Sequence, residues 1–230
     1  MSTAHEHAFQ PTRWSLVLRA KQDDEPIARA ALEELCRLYW PPLCSFARRW
    51  GMSDADAEDA TQNFFAELLR NDKFAIADAD RGKLRTFLLS TFTKRLINQR
   101  ERDPSRHHIT PDELPDATDP QTPEREFTQQ WAVTTMETAL SRLSDECLQS
   151  GKSTLFTACR PLLTLDASGN EDYAAIARQL GMKEGAVRVA VHRVRQQFRE
   201  TLFAVIAETL DHPTEANVRA EIGALMEALN

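Results

Sequence analysis

The stretch Tyr173–Leu202 constrains the fold more than any other part of the chain, because its apolar residues recur at helical intervals. Four of them follow one another at spacings of four, three and four, which places them along one side of a helix: Val187, Val191, Val194 and Phe198. A second stripe repeats this spacing one residue later and is basic: Arg188, His192, Arg195 and Arg199. One face of the helix is therefore predicted to pack, and the neighbouring face to carry positive charge.

A shorter helix precedes this one and ends at a tight joint. Its apolar residues are Ile176, Ala177 and Leu180, and the following Gly181 is the residue type that a helix end prefers. Two helices joined in this way indicate a helix-turn-helix, in which the second helix enters the major groove of duplex DNA. An ordinary helical hairpin with a solvated basic face gives the same spacing, so both interpretations stay open.

The rest of the chain also favours helices. Its 230 residues include only seven glycines, and 42% hydrophobic residues are enough to bury the cores of one or two domains. No apolar run is long enough to span a bilayer, no signal peptide opens the chain, and the four cysteines lack CxxC spacing. We therefore predict an all-α cytoplasmic protein without disulfides or zinc.

The net charge of −7 is unevenly distributed. Residues 81–102 hold seven Lys or Arg against one Glu, and residues 173–202 hold six against two. Residues 53–80 instead hold eight Asp or Glu against two Lys or Arg. Because charges in physiological salt act within roughly 8–10 Å, local patches matter more than the sum over the chain. Two basic patches and one acidic patch indicate two nucleic-acid contacts and one different partner.

A proline-rich segment divides the chain. Five of the eleven prolines lie between Asp103 and Glu124, among Asp and Thr residues, a composition typical of an extended linker. We predict two helical domains joined by this linker: residues 12–103, a linker at 104–124, a helix-turn-helix domain at 125–210 and a helical tail at 211–230. The tail is expected to cover the core of the second domain, with a docking or autoinhibitory role as the alternative.

Two helices of the first domain carry opposite charge. The first, residues 54–70, follows the N-cap residue Ser53 and is acidic on one side, although acidic first turns also simply complement the helix dipole. The second, residues 83–102, presents polar residues opposite its apolar stripe: Lys94, Arg95, Asn98 and Arg102. Asn can pair with adenine through two hydrogen bonds, so this face is a candidate DNA surface. A long helix precedes these two helices, and its pair Pro41-Pro42 predicts a kink or a restart there.

Sequence motifs of catalysis are missing from the chain. GxGxxG, P-loop, GxSxG and HExxH patterns do not occur. The acidic residues at 56, 58 and 59 do not converge on one point of a helix, as a metal site requires. We therefore predict no catalytic residue, no metal and no cofactor.

The order of these elements resembles that of extracytoplasmic-function sigma factors of bacterial RNA polymerase, over nearly the whole chain. The strings that carry the resemblance are DAEDATQNFFAELL at 56–69, GKLRTFLLSTFTKRLINQRER at 82–102 and YAAIARQLGMKEGAVRVAVHRVRQQFR at 173–199. The string TRWSLVL at 12–18 is similar to the start of one subgroup, known from bacteria rich in eukaryote-like kinases.

The resemblance implies three contact surfaces. The acidic helix is expected to bind core RNA polymerase, made of β′ and β among other subunits, on the β′ coiled coil through Asp56, Glu58, Asp59, Gln62 and Phe65. The basic helix and the loop before it are expected to open the minus-ten element of promoter DNA through Phe74, Arg81, Lys94, Arg95, Asn98 and Arg102. The helix-turn-helix is expected to read the minus-thirty-five element through Lys183, Glu184, Arg188, His192, Arg193, Arg195 and Arg199.

Within the last set, the resemblance assigns Arg188 and His192 to base edges and the other three arginines to phosphates. Many relatives carry Ser-Arg where Val189-Ala190 stand here, which leaves the promoter sequence open. Other frequent residues are Trp in place of Phe87 and Asp in place of Asn98. The controlling partner also stays open between an anti-sigma protein, a Ser/Thr kinase acting on a residue such as Thr61, and the tail itself.

Two other functions fit part of the pattern. A stand-alone helix-turn-helix regulator that binds duplex operators explains residues 173–202, but it does not need an acidic helix followed by an Asn-bearing basic helix. A protein that only sequesters partners is the weaker third alternative.

Overall fold

A computed structural model of the protein describes residues 25–70, 83–102, 122–163, 173–210 and 213–230. Within these ranges the regular structure is helical and contains no strand, so the predicted all-α class is confirmed. A 3-10 turn at Arg160–Leu162 follows the helix Ser153–Cys159. The helices are α1 Glu25–Arg49, α2 Asp54–Arg70, α3 Leu84–Arg102, α4 Pro123–Gln149, α5 Ser153–Cys159, α6 Tyr173–Leu180, α7 Glu184–Ala207 and α8 Glu215–Leu229.

The chain divides into two compact units whose limits differ from the predicted domains. Unit 1 extends to Thr134 and also contains Ile206–Asn230, whereas unit 2 is Thr135–Val205. Both ends of the predicted second domain, residues 125–134 and 206–210, therefore belong to unit 1. Sequence periodicity marks the faces of a helix, but it does not show where along a long helix one core ends and another begins.

The core of unit 1 is built by α1, α2 and α3. The rings of Phe46, Phe64 and Phe92 bring one residue from each helix together, with centroids 5.0 Å apart for Phe64–Phe92 and 6.1 Å apart for Phe46–Phe92. The predicted apolar stripe of α3 is buried at all four positions: Leu84, Leu88, Phe92 and Leu96. Aromatic contacts of this kind contribute about 0.5–1.5 kcal/mol each beyond the area that they bury.

Helix α1 continues through Pro41 and Pro42, so the predicted restart is wrong. An interior proline costs a helix about 3 kcal/mol, because it removes one hydrogen bond and crowds the preceding turn. Here Leu38 before the pair and Leu43 and Phe46 after it are all buried. Their packing against the core offsets the proline penalty and keeps the helix in one piece.

Helix α8 belongs to unit 1, which corrects the expectation that the tail covers the second domain. Its Glu221 is only 2% exposed and forms ion pairs with Lys83 and Arg85 at the start of α3. The Arg85 Nε donates to Glu221 Oε2 at 2.8 Å, and its guanidinium lies 4.8 Å above the ring of Trp131. Val218 and Leu225 bury the apolar side of the same helix. The tail is thus an integral part of the N-terminal unit.

A second polar contact joins the 206–210 segment to the same unit. The hydroxyl of Tyr39, on α1, is hydrogen-bonded to Thr209 and is fully enclosed. Burial raises the pKa of Tyr39 far above its usual value, because a phenolate has no water there to solvate it. This contact and the Glu221 pairs attach the end of the chain to α1 and α3 at separate points.

Unit 2 has its own core around α7. The predicted stripe is buried at every position, namely Val187, Val191, Val194 and Phe198, together with Phe156, Cys159 and Leu162 from the α5 region. Arg195 fixes α7 further, since its Nε and Nη2 donate to the carbonyl oxygen of Leu162 at 3.1 and 2.8 Å. Packing is thus confirmed for the face that the sequence assigned to it.

Candidate functional surfaces

The acidic side of α2 is exposed to solvent. Asp56, Glu58, Asp59 and Gln62 are all exposed, whereas Ala57, Ala60 and Phe64 are buried. At about 100° per residue, Asp59 points directly away from the buried side, and Asp56 and Glu58 flank it. The four polar residues predicted from the sequence therefore form one outward acidic surface on unit 1.

Local hydrogen bonds position this acidic surface. The backbone N–H of Asp56 donates to Ser53 Oγ at 3.2 Å, and the Ser53 hydroxyl donates to the Asp56 carboxylate at 2.6 Å. This is the capping pattern predicted for the start of α2. Arg48 of α1 donates to Asp54 at 2.6 Å and reaches Glu58 at 3.5 Å, which reduces the negative charge at one edge. Asp59 remains the outermost acid.

Phe65 does not share this exposure. It is 5% exposed and stacks on Trp40 of α1, with ring centroids 6.0 Å apart and an interplanar angle of 9°. Because the side chain supports the packing of α1 on α2, direct contact with a partner is not available to it without opening the core. The four exposed polar residues are what this side of α2 offers to a partner.

Thr61 is also enclosed, although it lies in the same helix. Its hydroxyl is 0% exposed, donates to the Ala57 carbonyl at 2.8 Å and accepts from the Cys44 thiol at 3.4 Å. A kinase needs the hydroxyl in its own active site, so phosphorylation of the folded unit at Thr61 conflicts with the structure. Sequence position alone gave no indication of this burial.

The polar residues of α3 serve two purposes. Lys94 and Asn98 are exposed, as predicted for a DNA surface. Arg95 is half-buried instead and forms an ion pair with Glu67 of α2, and burial lowers the pKa of its guanidinium. Arg102 is the last residue of α3, while Phe74 and Arg81 lie outside the described residues.

The joint between α6 and α7 has the geometry expected of a tight turn. Gly181 has a φ of +63°, in the left-handed region that glycine adopts readily. The N–H of Met182 donates back to the Ala177 carbonyl at 2.9 Å, which satisfies one carbonyl at the end of α6. Only residues 181–183 separate the two helices, so the α6–α7 pair has the length and joint of a helix-turn-helix.

The charged side chains of α7 differ in their surroundings. Lys183, Glu184, Arg188, His192, Arg193 and Arg199 are exposed, whereas Arg195 is partly buried through its bonds to Leu162. The Arg188 guanidinium pairs with Glu184 at 2.6 Å and lies 4.5 Å above the ring of Tyr173. These two contacts orient the exposed Arg188 side chain, and Arg195 has a structural role that its sequence position did not reveal.

Sequence reasoning missed the residues that attach the tail: Lys83, Arg85, Trp131 and Glu221. A clue was present, because Glu221 lies within the apolar spacing of Val218, Ile222 and Leu225. A carboxylate at a buried position requires a cationic partner. Which cation supplies it cannot be read from periodicity, since the partners lie about 136 residues away in the chain.

The described residues hold neither a cluster of three potential metal ligands nor a helix long and apolar enough to cross a membrane. The four cysteines are free thiols, and the pKa of each is raised by burial as the largest cause. A thiol with a raised pKa is mostly protonated at neutral pH, so these cysteines are expected to be unreactive packing residues rather than nucleophiles.

Part of the chain matches a known family. Residues 35–104, which cover most of α1 and all of α2 and α3, match the family Sigma-70 region 2. Neither the curated proteins nor the solved structures contain a match to this chain. The match covers 70 of the 230 residues, so this segment of the chain is similar to Sigma-70 region 2.

Proposed function

We propose that the protein is a cytoplasmic sigma factor of the extracytoplasmic-function type, which gives core RNA polymerase its promoter specificity. The observation that carries the proposal is that the matched segment holds both the exposed acidic surface of α2 and the exposed Lys94 and Asn98 of α3. Opposite charges on two faces of one helical unit suit two different partners, a protein and a nucleic acid.

Asp56, Glu58, Asp59 and Gln62 are the proposed contacts to the β′ subunit. They are exposed, share one side of α2 and include the outermost acid, Asp59. Phe65 supports this surface from within the core and is not itself part of it. Docking through charge also raises the rate of encounter with a basic partner at low salt.

Lys94 and Asn98 are the proposed contacts to the minus-ten element. Strand opening requires a base to leave the stack, which costs a few kcal/mol and has to be offset by phosphate contacts and a pocket. Lys94 offers a charge for phosphate, and Asn98 offers both a donor and an acceptor to a base edge. Arg95 holds α3 against α2 and acts on DNA only through that position.

The α6–α7 pair is proposed to read the minus-thirty-five element as duplex. Arg193 and Arg199 are exposed on α7 and suit phosphate contact, and Arg188 is held near the start of the helix, where base edges are met. A stand-alone operator-binding regulator shares this part of the chain, but it has no use for a Sigma-70 region 2 domain.

Transcription in vitro tests the proposal. Purified core polymerase is expected to start at specific sites only when this protein is added. Reversing the charge of Asp56, Glu58 and Asp59 together is expected to weaken core binding at least 100-fold while leaving the helical content unchanged, because all three side chains are exposed. Reversal of the exposed Glu215, Glu227 and Glu200 is the matched control. Unchanged core affinity of the α2 variant contradicts the assignment of this surface, and repression without any specific start supports the regulator.

A further inference from the structure

The face of α7 that points directly away from the core is apolar near its start. Counting about 100° per residue from the buried stripe, Val189 lies roughly 180° from its centre, and Gly185 lies one turn earlier on the same side. Val189 is 52% exposed, whereas the four valine and phenylalanine positions of the stripe are buried. We call Gly185 and Val189 the outward patch. The basic stripe identified in the sequence lies to one side of this patch rather than at its centre.

Packing does not require the glycine of the outward patch. A Cβ built on Gly185 meets nothing within 4 Å, and its φ is not in the left-handed region. Glycine in the first turns of a helix nevertheless destabilises it relative to alanine. Neither packing nor backbone conformation requires a glycine at position 185. The remaining role of a glycine is to let another molecule approach the backbone closely, because it has no side chain.

Positive charge surrounds the outward patch on α7. Arg193 and His192 are exposed on the following turn, and Arg188 is held beside the patch by Glu184 and by the ring of Tyr173. An apolar partner protein has no need of this charge, whereas DNA presents phosphates on both sides of a groove floor formed by base edges. The floor of the major groove carries one apolar group, the 5-methyl group of thymine.

We propose that Val189 reads a thymine methyl group in the upstream promoter element, and that Gly185 lets α7 approach the groove closely enough for this contact. The inference deepens the proposed function and rests on it, because it names what the α7 surface recognises. Arg188, oriented by Glu184 and Tyr173, contacts the DNA at an adjacent base pair. Arg188 and Val189 together then set the register of α7 along the DNA.

Deoxyuridine tests the contact, because it pairs as thymine does and lacks only the methyl group. The full chain is assembled with core polymerase, and the preferred upstream element is selected from a promoter library randomised in that region. Each thymine of the selected element is then replaced singly by deoxyuridine, and the affinity of the holoenzyme is measured. One replacement is expected to weaken binding about fourfold, the effect of losing one buried methyl group.

The variant Val189→Ser is expected to bind the thymine and deoxyuridine promoters equally, since it has no methyl groups to place against the base. Leu148→Ser is the matched control, because Leu148 is an exposed apolar residue of unit 2 outside α7, and it is expected to keep the fourfold difference. A selected element without a sensitive thymine, or a Val189→Ser variant that keeps the difference, overturns the inference. Failure to initiate at any specific promoter instead removes the proposed function, and this inference falls with it.

Gly185→Ala gives a second measurement. The alanine is expected to raise the unfolding temperature while weakening holoenzyme binding to the selected promoter about threefold or more, because an added Cβ enters the space that the DNA needs. Gly223→Ala is its control, since Gly223 is also a helical glycine with nothing within 4 Å of a built Cβ, but lies in α8. Equal promoter affinity of Gly185→Ala and the unaltered protein overturns the role given to Gly185.

Discussion

Units 1 and 2 both place arginines and lysines on a long helix, but they use them differently. In unit 1, Arg85 and Arg95 of α3 and Lys83 just before it each face a carboxylate, either Glu221 or Glu67. On α7 of unit 2, Arg193 and Arg199 are exposed, and Arg188 pairs with Glu184 one turn away and lies over the ring of Tyr173. Three cations of the first basic stretch are therefore bound within their own unit, whereas most cations of the second are exposed to solvent.

The difference follows from burial. A cation that is partly removed from water must regain its solvation energy from an anion or from carbonyl oxygens, as Arg85 does from Glu221 and Arg195 from Leu162. An exposed cation keeps its water and can exchange it for a phosphate, with the release of counterions from DNA. Stability measurements should therefore respond to the partly buried cations Arg85 and Arg95, and salt-dependent DNA binding to the exposed Arg193 and Arg199.

The largest effect is expected at Glu221. Replacing it by Ala leaves Arg85, which is 17% exposed, without its carboxylate and is predicted to lower the free energy of unfolding of unit 1 by about 2–3 kcal/mol. The value lies below that of a fully buried pair because Lys83 remains 41% exposed and can be solvated. Tryptophan fluorescence during urea unfolding measures the change, since the described tryptophans, Trp40, Trp50 and Trp131, all lie in unit 1.

Glu227→Ala is the control for this prediction, because Glu227 lies on the same helix and is exposed. It is expected to change the free energy of unfolding by less than about 0.5 kcal/mol. If both variants lower the free energy of unfolding equally, the ion pairs to Glu221 contribute no more than an exposed charge does. The cations at the start of α3 would then not differ in role from the exposed cations of α7.

The second prediction concerns the exposed arginines of α7. Replacing Arg193 and Arg199 together by Ala is expected to weaken promoter binding by the holoenzyme roughly 10- to 30-fold at physiological salt and to reduce the salt slope of log K by about two. The double variant of Arg85 and Arg95 is the comparison: its loss appears as unfolding and not as a changed salt slope. A salt slope that stays the same without Arg193 and Arg199 contradicts phosphate contact by these residues.

A smaller effect should separate two adjacent residues of α3. Arg95→Ala removes the half-buried partner of Glu67 and is predicted to destabilise unit 1 by about 1 kcal/mol, whereas the exposed Lys94→Ala changes stability by less than about 0.5 kcal/mol. Promoter opening should show the reverse order, with the Lys94 variant more impaired than its stability explains. Urea unfolding and permanganate reactivity of opened thymines measure the two quantities in the same preparations.

The sequence predicted the helical faces well because periodicity records which side of a helix is buried. The stripes of α3 and α7 and the exposed acids of α2 occupy the sides expected of them. What it could not predict are contacts between residues far apart in the chain. Glu221 finds Lys83 and Arg85 across more than 130 positions, and Arg195 finds the Leu162 carbonyl, because the path of the backbone brings them together. For that reason the sequence predicted partner contacts for Arg95, Phe65 and Arg195, whereas the structure shows each of them in a contact within its own unit.

The last prediction concerns Cys36, on α1 of unit 1, and its effect appears only at high pH. Burial, with a contribution from Glu33, raises the pKa of its thiol from 9.0 to about 11. The folded state therefore holds the proton more tightly than the unfolded chain, so this contribution to stability is complete below about pH 8.5 and is lost as the pH rises toward 11. Unfolding followed by tryptophan fluorescence should show unit 1 weakening over this interval, and Cys36→Ala should weaken less. An identical pH dependence in the unaltered protein and in Cys36→Ala would show that the Cys36 thiol does not contribute. The physical cause is the one that pairs the cations of α3 with carboxylates. Burial disfavours an unpaired charge, so a partly buried cation is paired with an anion and a partly buried thiol stays protonated.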